Sequence, residues 1–157
     1  MTSSSQRPAD GPVDPADAPD LAGFRVPYDR GGLDEADLAA APLTQFRAWF
    51  ADAVAAALPE PNAMVLATSA ADGQPSGRTV LLKDADARGF VLYTNLGSRK
   101  SRELGENPRA SLVFPWFGMQ RQVVVVGQVE PVGRDEAAAY FASRPYGSQV
   151  GAWASRQ

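Results

Sequence analysis

From Asn62 onward the chain breaks into five short β-rich runs, AMVLATSA, GRTVLLK, GFVLYTN, ASLVFPWF and RQVVVVGQVEPV. No other feature limits the fold as much. Val, Thr, Phe and Tyr at this density fit a pleated, half-buried surface. The breaks carry turn chemistry, Asp72-Gly73 in ADGQ and Arg88-Gly89 after DADA, because Gly accepts the positive φ that tight hairpins require. Five strands at this spacing predict a small antiparallel barrel or curled sheet, mainly β with helices. The helices interrupt it at Ser98 to Glu106 and again at RDEAAAYFASR.

Ahead of the strands, PLTQFRAWFADAVAAAL puts Phe46, Trp49, Phe50, Ala53 and Ala57 at helical spacing, flanked by Leu43, Val54 and Leu58. The opening MTSSSQRPADGPVDPADAPD has no apolar periodicity, so burial could not offset its ordering entropy. Residues 1–22 are therefore expected to form a mobile tail, and residues 23–157 a single domain. Between tail and helix, FRVPYDRGGLDEADL reads as an extended arm that packs at Phe24 and Tyr28.

Composition then narrows the chemistry. There is no Cys and no His, which excludes disulfides, thiolate or imidazole metal sites, Cys nucleophiles and His-based acid–base catalysis. A bound cofactor would have to supply any demanding reactivity. No stretch approaches the ~20 apolar residues of a membrane span, and the opening lacks a signal-peptide pattern, so a cytoplasmic protein without a membrane role is expected. The net charge of −3 makes a generic nucleic-acid binder a poor fit. Charge is uneven, however. Residues 1–40 hold 8 acids and 3 bases, whereas residues 78–109 hold 7 bases and 4 acids. A small anionic ligand suits the middle of the chain.

Four segments could receive it. In GRTVLLK, Arg78, Val80 and Leu82 face one way and Thr79, Leu81 and Lys83 the other. Arg78 and Lys83 therefore meet one ligand only if the strand bulges or the ligand sits at its edge; otherwise both are solvated strand ends. In YTNLGSRK a strand ending near Tyr93 and Thr94 turns through Asn95 and Gly97 into a helix with Ser98 as N-cap. Arg99 and Lys100 in the first turn oppose the helix dipole by roughly 0.3–1 kcal/mol each unless an anion offsets them. In MQRQVVVVGQVE, Gln120, Gln122, Val124, Val126 and Gln128 share one strand face, at a sheet rim or against a polar ligand edge. In YFASRPYGS, Tyr140 and Arg144 stand at i and i+4, Pro145 breaks the helix, and Ser148 follows, together forming a possible second anion clamp.

Taken in order, RTVLLK, YTNLGSRK, NPRASLVFPW, RQVVVVG and SRPYGSQVGAWAS resemble the pyridoxamine/pyridoxine 5′-phosphate oxidase family, from about Phe24 to Gln157. The resemblance implies an FMN-binding split β-barrel, working as a homodimer with FMN between subunits. It places FMN contacts on Arg78, Thr79, Val80, Leu81, Leu82 and Lys83, on Tyr93 and Thr94, and on Ser98, Arg99, Lys100, Gln122 and Gln157. It places the phosphate of a B6 substrate on Lys83, Tyr140, Arg144 and Ser148, with Arg25 and Tyr28 closing over it. Val26 and Pro27 depart from the family's usual Arg-Glu. The implied activity is oxidation of pyridoxamine or pyridoxine 5′-phosphate to pyridoxal 5′-phosphate, with O2 as acceptor and H2O2 as product. The family continues beyond Gln157 through a Trp, an Arg-Leu-His segment and a further Arg, so a C-terminally truncated member is expected. Two other readings stay open, a split-barrel reductase using flavin or deazaflavin on another substrate, and a non-catalytic binder of flavin or a B6 phosphate.

Overall fold

A computed structural model describes residues 20–25, 27–29 and 32–155. Most of the expected tail, and Gln157, lie outside the described residues. What is described of that opening, Leu21–Gly23, forms a 3-10 turn capped by the Asp20 carboxylate.

The first long element is helix α1, Pro42–Ala55. Pro42 at its first turn has the fixed φ a helix start favours and no N–H to leave unsatisfied. The helix stops three residues short of the expected Leu58. Ala57 takes a left-handed φ of 51° and donates its N–H to Val54, while the Leu58 N–H reaches back to the Ala53 carbonyl. Those two bonds are a Schellman closure.

Six strands follow where five were expected: β1 Ala63–Ser69, β2 Pro75–Leu81, β3 Asp84–Asp86, β4 Gly89–Val91, β5 Arg109–Trp116 and β6 Arg121–Gln128. The extra strand is β3, in the DADA segment just before the Arg88-Gly89 turn, which lies between the expected strands. Its pairing with β4 is made possible by Gly89 at φ 140°. The other four strands form one antiparallel sheet in the order β2-β1-β5-β6, which leaves β2 and β6 as edges.

Alternation sorts the sheet into two faces. The inner face holds Met64, Leu66, Phe114 and Trp116, closed by Phe46 of α1, whose ring sits 4.8 Å from Phe90 and 5.1 Å from Phe114. Trp116 places its indole N–H on the Pro61 carbonyl at 2.9 Å, so its polar atom is satisfied. The outer face carries Val65 and Leu81, each 36% exposed, with Val124 at 50% and Val126 at 77%. That much apolar surface on one sheet face is unusual for an isolated chain.

Helix α2, Arg99–Glu106, lies against β1 near the polar end of the inner face. Helices α3, Arg134–Ser143, and α4, Tyr146–Ala154, follow the sheet, separated at Arg144-Pro145 where the sequence placed its break. Among the described residues no helix is long and apolar enough to cross a membrane.

Candidate functional site

The turn into α2 is built by Asn95. Its side-chain oxygen accepts the Gly97 N–H at 2.8 Å, and its backbone carbonyl accepts from the Ser98 N–H and the Ser101 hydroxyl. Ser98 occupies the N-cap position, as expected, but its side chain does not cap the backbone. It is 1% exposed, and its hydroxyl donates to Ser101 Oγ at 3.2 Å.

The two cations after it part company. Arg99 stays largely exposed and donates from Nε to Glu103 Oε1 at 2.7 Å. Lys100 is buried, and its pKa is pushed down by that burial and by the nearby charge of Arg78.

Arg78 reaches the same place from β2. Its side chain is no solvated strand end. It donates to the Leu66 carbonyl at 2.9 Å, to Thr68 Oγ1 at 2.6 Å, to Ser76 Oγ and to Glu103 Oε2 at 3.2 Å. Glu103 joins the set. It is 5% exposed and accepts from Thr68 Oγ1 at 2.5 Å and Ser76 Oγ at 2.6 Å as well as from both arginines. The Ser76 and Thr68 hydroxyls, helped by Arg99, hold its pKa down to about 2 against the opposing effect of burial. Sequence reasoning passed over Glu103. Its one signal was the i, i+4 spacing from Arg99.

Just before the turn, Thr94 Oγ1 is buried with no hydrogen-bond partner among the described residues. An unmade bond of this kind costs about 1–3 kcal/mol unless something supplies it. Tyr93 lies flat against Tyr140 of α3, ring centroids 3.8 Å apart and planes within 6°. Its hydroxyl donates to Glu136, which Arg88 also grips at 2.8 and 3.3 Å. Burial, then the charge of Glu136, pushes the Tyr93 pKa up. These contacts fasten α3 to the β3–β4 hairpin.

The remaining sequence-predicted residues are spread out. Thr79 and Leu81 face outward on edge strand β2, Val80 inward, and Leu82 is in the core with its carbonyl accepting from Asn62. Lys83 lines a separate cleft of about 260 Å³ with Phe50, Asn62 and Asp84. β2 is regular and Arg78 and Lys83 lie in different surroundings, Arg78 among Thr68, Ser76 and Glu103 and Lys83 on the separate cleft, so this chain does not bring the two cations together. Gln122 points outward on β6, three strand spacings or about 14 Å across the sheet from β2.

Gln122 also lines a cleft of about 500 Å³ with Leu33 and Trp49, beside which Gln120 donates to the Pro27 carbonyl of the arm at 2.9 Å. Arg25 and Tyr28 of that arm are exposed. Neither cleft lies at the start of α2, where the positive charge is concentrated. Arg144 is half-buried beyond the end of α3, and Ser148 is exposed in the first turn of α4. One chain thus gathers Arg78, Ser98, Arg99 and Lys100, and brings Tyr93 to Tyr140. It does not bring Gln122 to either group.

A sequence profile described as pyridoxamine 5′-phosphate oxidase matches residues 50–157. The chain belongs to the pyridoxamine 5′-phosphate oxidase family. Within that family it is 57% identical over 157 residues to the pyridoxine/pyridoxamine 5′-phosphate oxidase of Frankia alni, covering 98% of this chain and 65% of the relative. It is 64% identical over 126 residues to the enzyme of that name from Salinispora arenicola, covering 80% and 57%. The chain therefore spans about 65% of the first relative's length. Among solved structures, PhzG from Burkholderia lata in complex with tetrahydrophenazine-1-carboxylic acid superposes with TM-score 0.75 at 33% identity, covering 78% of this chain and 60% of that one. A pyridoxamine 5′-phosphate oxidase-related FMN-binding protein from Nostoc punctiforme shares the fold at TM-score 0.57 and 17% identity. The mainly β fold with helices is that of these split-barrel relatives.

Proposed function

We propose that this chain carries the FMN-phosphate site of a pyridoxine/pyridoxamine 5′-phosphate oxidase and works as a homodimer. The observation that supports this best is the convergence at the start of α2, where Arg78, Arg99 and buried Lys100 meet a helix N-terminus beside the Thr94 hydroxyl, which has no partner among the described residues. That donor set fits a phosphate ester. When bound, FMN supplies what a chain without His or Cys lacks: a hydride acceptor for C4′ of a B6 phosphate, and passage of the electrons to O2 to give H2O2.

The chain's own residues do the rest by position and charge. Arg99 and Lys100 hold the phosphate, Arg78 adds charge from beneath, and Thr94 donates its unused hydroxyl. Lys83, Tyr140, Arg144 and Ser148 receive the phosphate of the B6 substrate, with Arg25 and Tyr28 on the arm beside it, and Gln157 adds a further flavin contact. Gln122 fits this scheme through the dimer. A second copy packed on the outer face would cover Val65, Leu81, Val124 and Val126 and set Gln122 of one protomer near the site of its partner.

The test is an absorbance spectrum after FMN addition and desalting, then a peroxide assay with pyridoxine 5′-phosphate. Retained flavin with peroxide release is the expected result, and no retained flavin would defeat the proposal. A second reading, action on a different ring substrate, is favoured by the tricyclic acid in the PhzG complex. Peroxide formed with such an acid and not with B6 phosphates would establish it.

A further inference from the structure

Glu103 is a buried carboxylate to which the phosphate-site reading assigns nothing, yet it touches both arginines of that site. Its two oxygens are used differently. Oε2 takes Thr68, Ser76 and Arg78 inside the fold, whereas among the described residues Oε1 takes the Nε–H of Arg99, on a side chain 65% exposed.

We propose that Glu103 is the internal counter-ion of the anion site: it holds Arg78 and Arg99 when no anion is bound, and shares Arg99 with a phosphate when one binds. The inference rests on the phosphate-site reading and extends it. Arg78 and Arg99 share this one carboxylate, so the trio keeps a net positive charge that suits a phosphomonoester of about −1.5 to −2. Arg78 is fixed by four acceptors and stays with Glu103. Arg99 is the exchangeable partner, since its own side chain reaches into water, which screens its hold on Glu103, and its remaining donors can turn to an incoming anion. Glu103 is thus a positioning residue with two opposed effects. It stabilises the cation cluster in the absence of an anion, and it lowers the affinity for the anion that replaces it.

A merely structural glutamate would give stability alone, so the sign of the binding effect decides. Glu103→Gln keeps the shape but offers one acceptor oxygen and one NH2 donor, and cannot satisfy both the Thr68–Ser76–Arg78 side and Arg99. The experiment is a thermal-shift titration of the purified chain with inorganic phosphate, at constant ionic strength. Glu103→Gln should melt lower than wild type without phosphate, yet reach half its phosphate-induced rise at about tenfold lower concentration, the scale of one removed unit charge in a partly buried site. Glu103→Asp keeps the charge but is too short to hold both arginines, so it should shift the titration the same way by less. It carries the test if the glutamine variant does not fold. Wild type responding with both variants equal or weaker would overturn the counter-ion role alone. No phosphate response in wild type would overturn the phosphate-site reading and this inference together.

Discussion

Arg99 and Glu103 show how one side chain can be settled by another four residues away. Arg99 is exposed but not idle, since Glu103 takes its Nε–H and leaves its outer donors for a ligand. Replacing Arg99 by Ala is expected to weaken FMN binding by about 1.5–3 kcal/mol, the worth of a charge-assisted hydrogen bond, as read by flavin fluorescence titration. Unchanged affinity would remove Arg99 from the site.

The depressed pKa of Glu103 has a pH signature. Its folded value of about 2 lies below the ordinary 4.5, so the folded state binds that proton less readily than the unfolded chain. Its contribution to stability is complete above pH 4.5 and is lost as pH falls from there toward 2. Asp86 and Glu136 are also lowered, by Arg88, and fade in the same acid range. Comparing melting temperatures of wild type and Glu103→Gln isolates Glu103. The gap between them should close on acidification, and a constant gap would contradict the assignment.

At the scale of elements, the end of α1 holds a local conflict. Ala57 sits at a left-handed φ that costs an L-residue roughly 1–2 kcal/mol, only part of which glycine's extra unfolded-state freedom cancels. Ala57→Gly should therefore raise stability by about 0.5–1 kcal/mol in chemical denaturation. A loss would mean that the closure depends on the alanine methyl. Helix α3 is positioned differently, by Glu136 on Arg88 and by the Tyr93–Tyr140 stack, which sets Arg144 at its end. Arg144→Ala is expected to raise the apparent KM for pyridoxine 5′-phosphate while flavin content stays level. Flavin loss instead would show that Arg144 serves the cofactor.

For the whole molecule, the uncovered outer face is the main question. Val65, Leu81, Val124 and Val126 give edge-to-edge apolar surface, and Gln122 at its rim is about 14 Å from β2 within one chain. The proposed homodimer predicts that Val126→Lys gives a monomer where wild type elutes as a dimer in size-exclusion chromatography with light scattering, with FMN retention lowered alongside. A variant that remains dimeric would place the interface elsewhere.

The sequence by itself determined the strand-rich body, the helix around Phe46, the break at Arg144-Pro145 and the family, because these rest on local periodicity, turn residues and the order of short blocks. It also placed Ser98, Arg99 and Lys100 at a helix start. Other features were decided only in three dimensions. β3 formed because β4 was there to pair with Asp84–Asp86, against the low strand preference of Asp. Arg78 turned inward because Thr68, Ser76 and Glu103, from three elements, met it there. Tyr93 met Tyr140 across forty-odd residues through the docking of α3. Such contacts depend on distance in space, and spacing along a chain reports distance only within a single element.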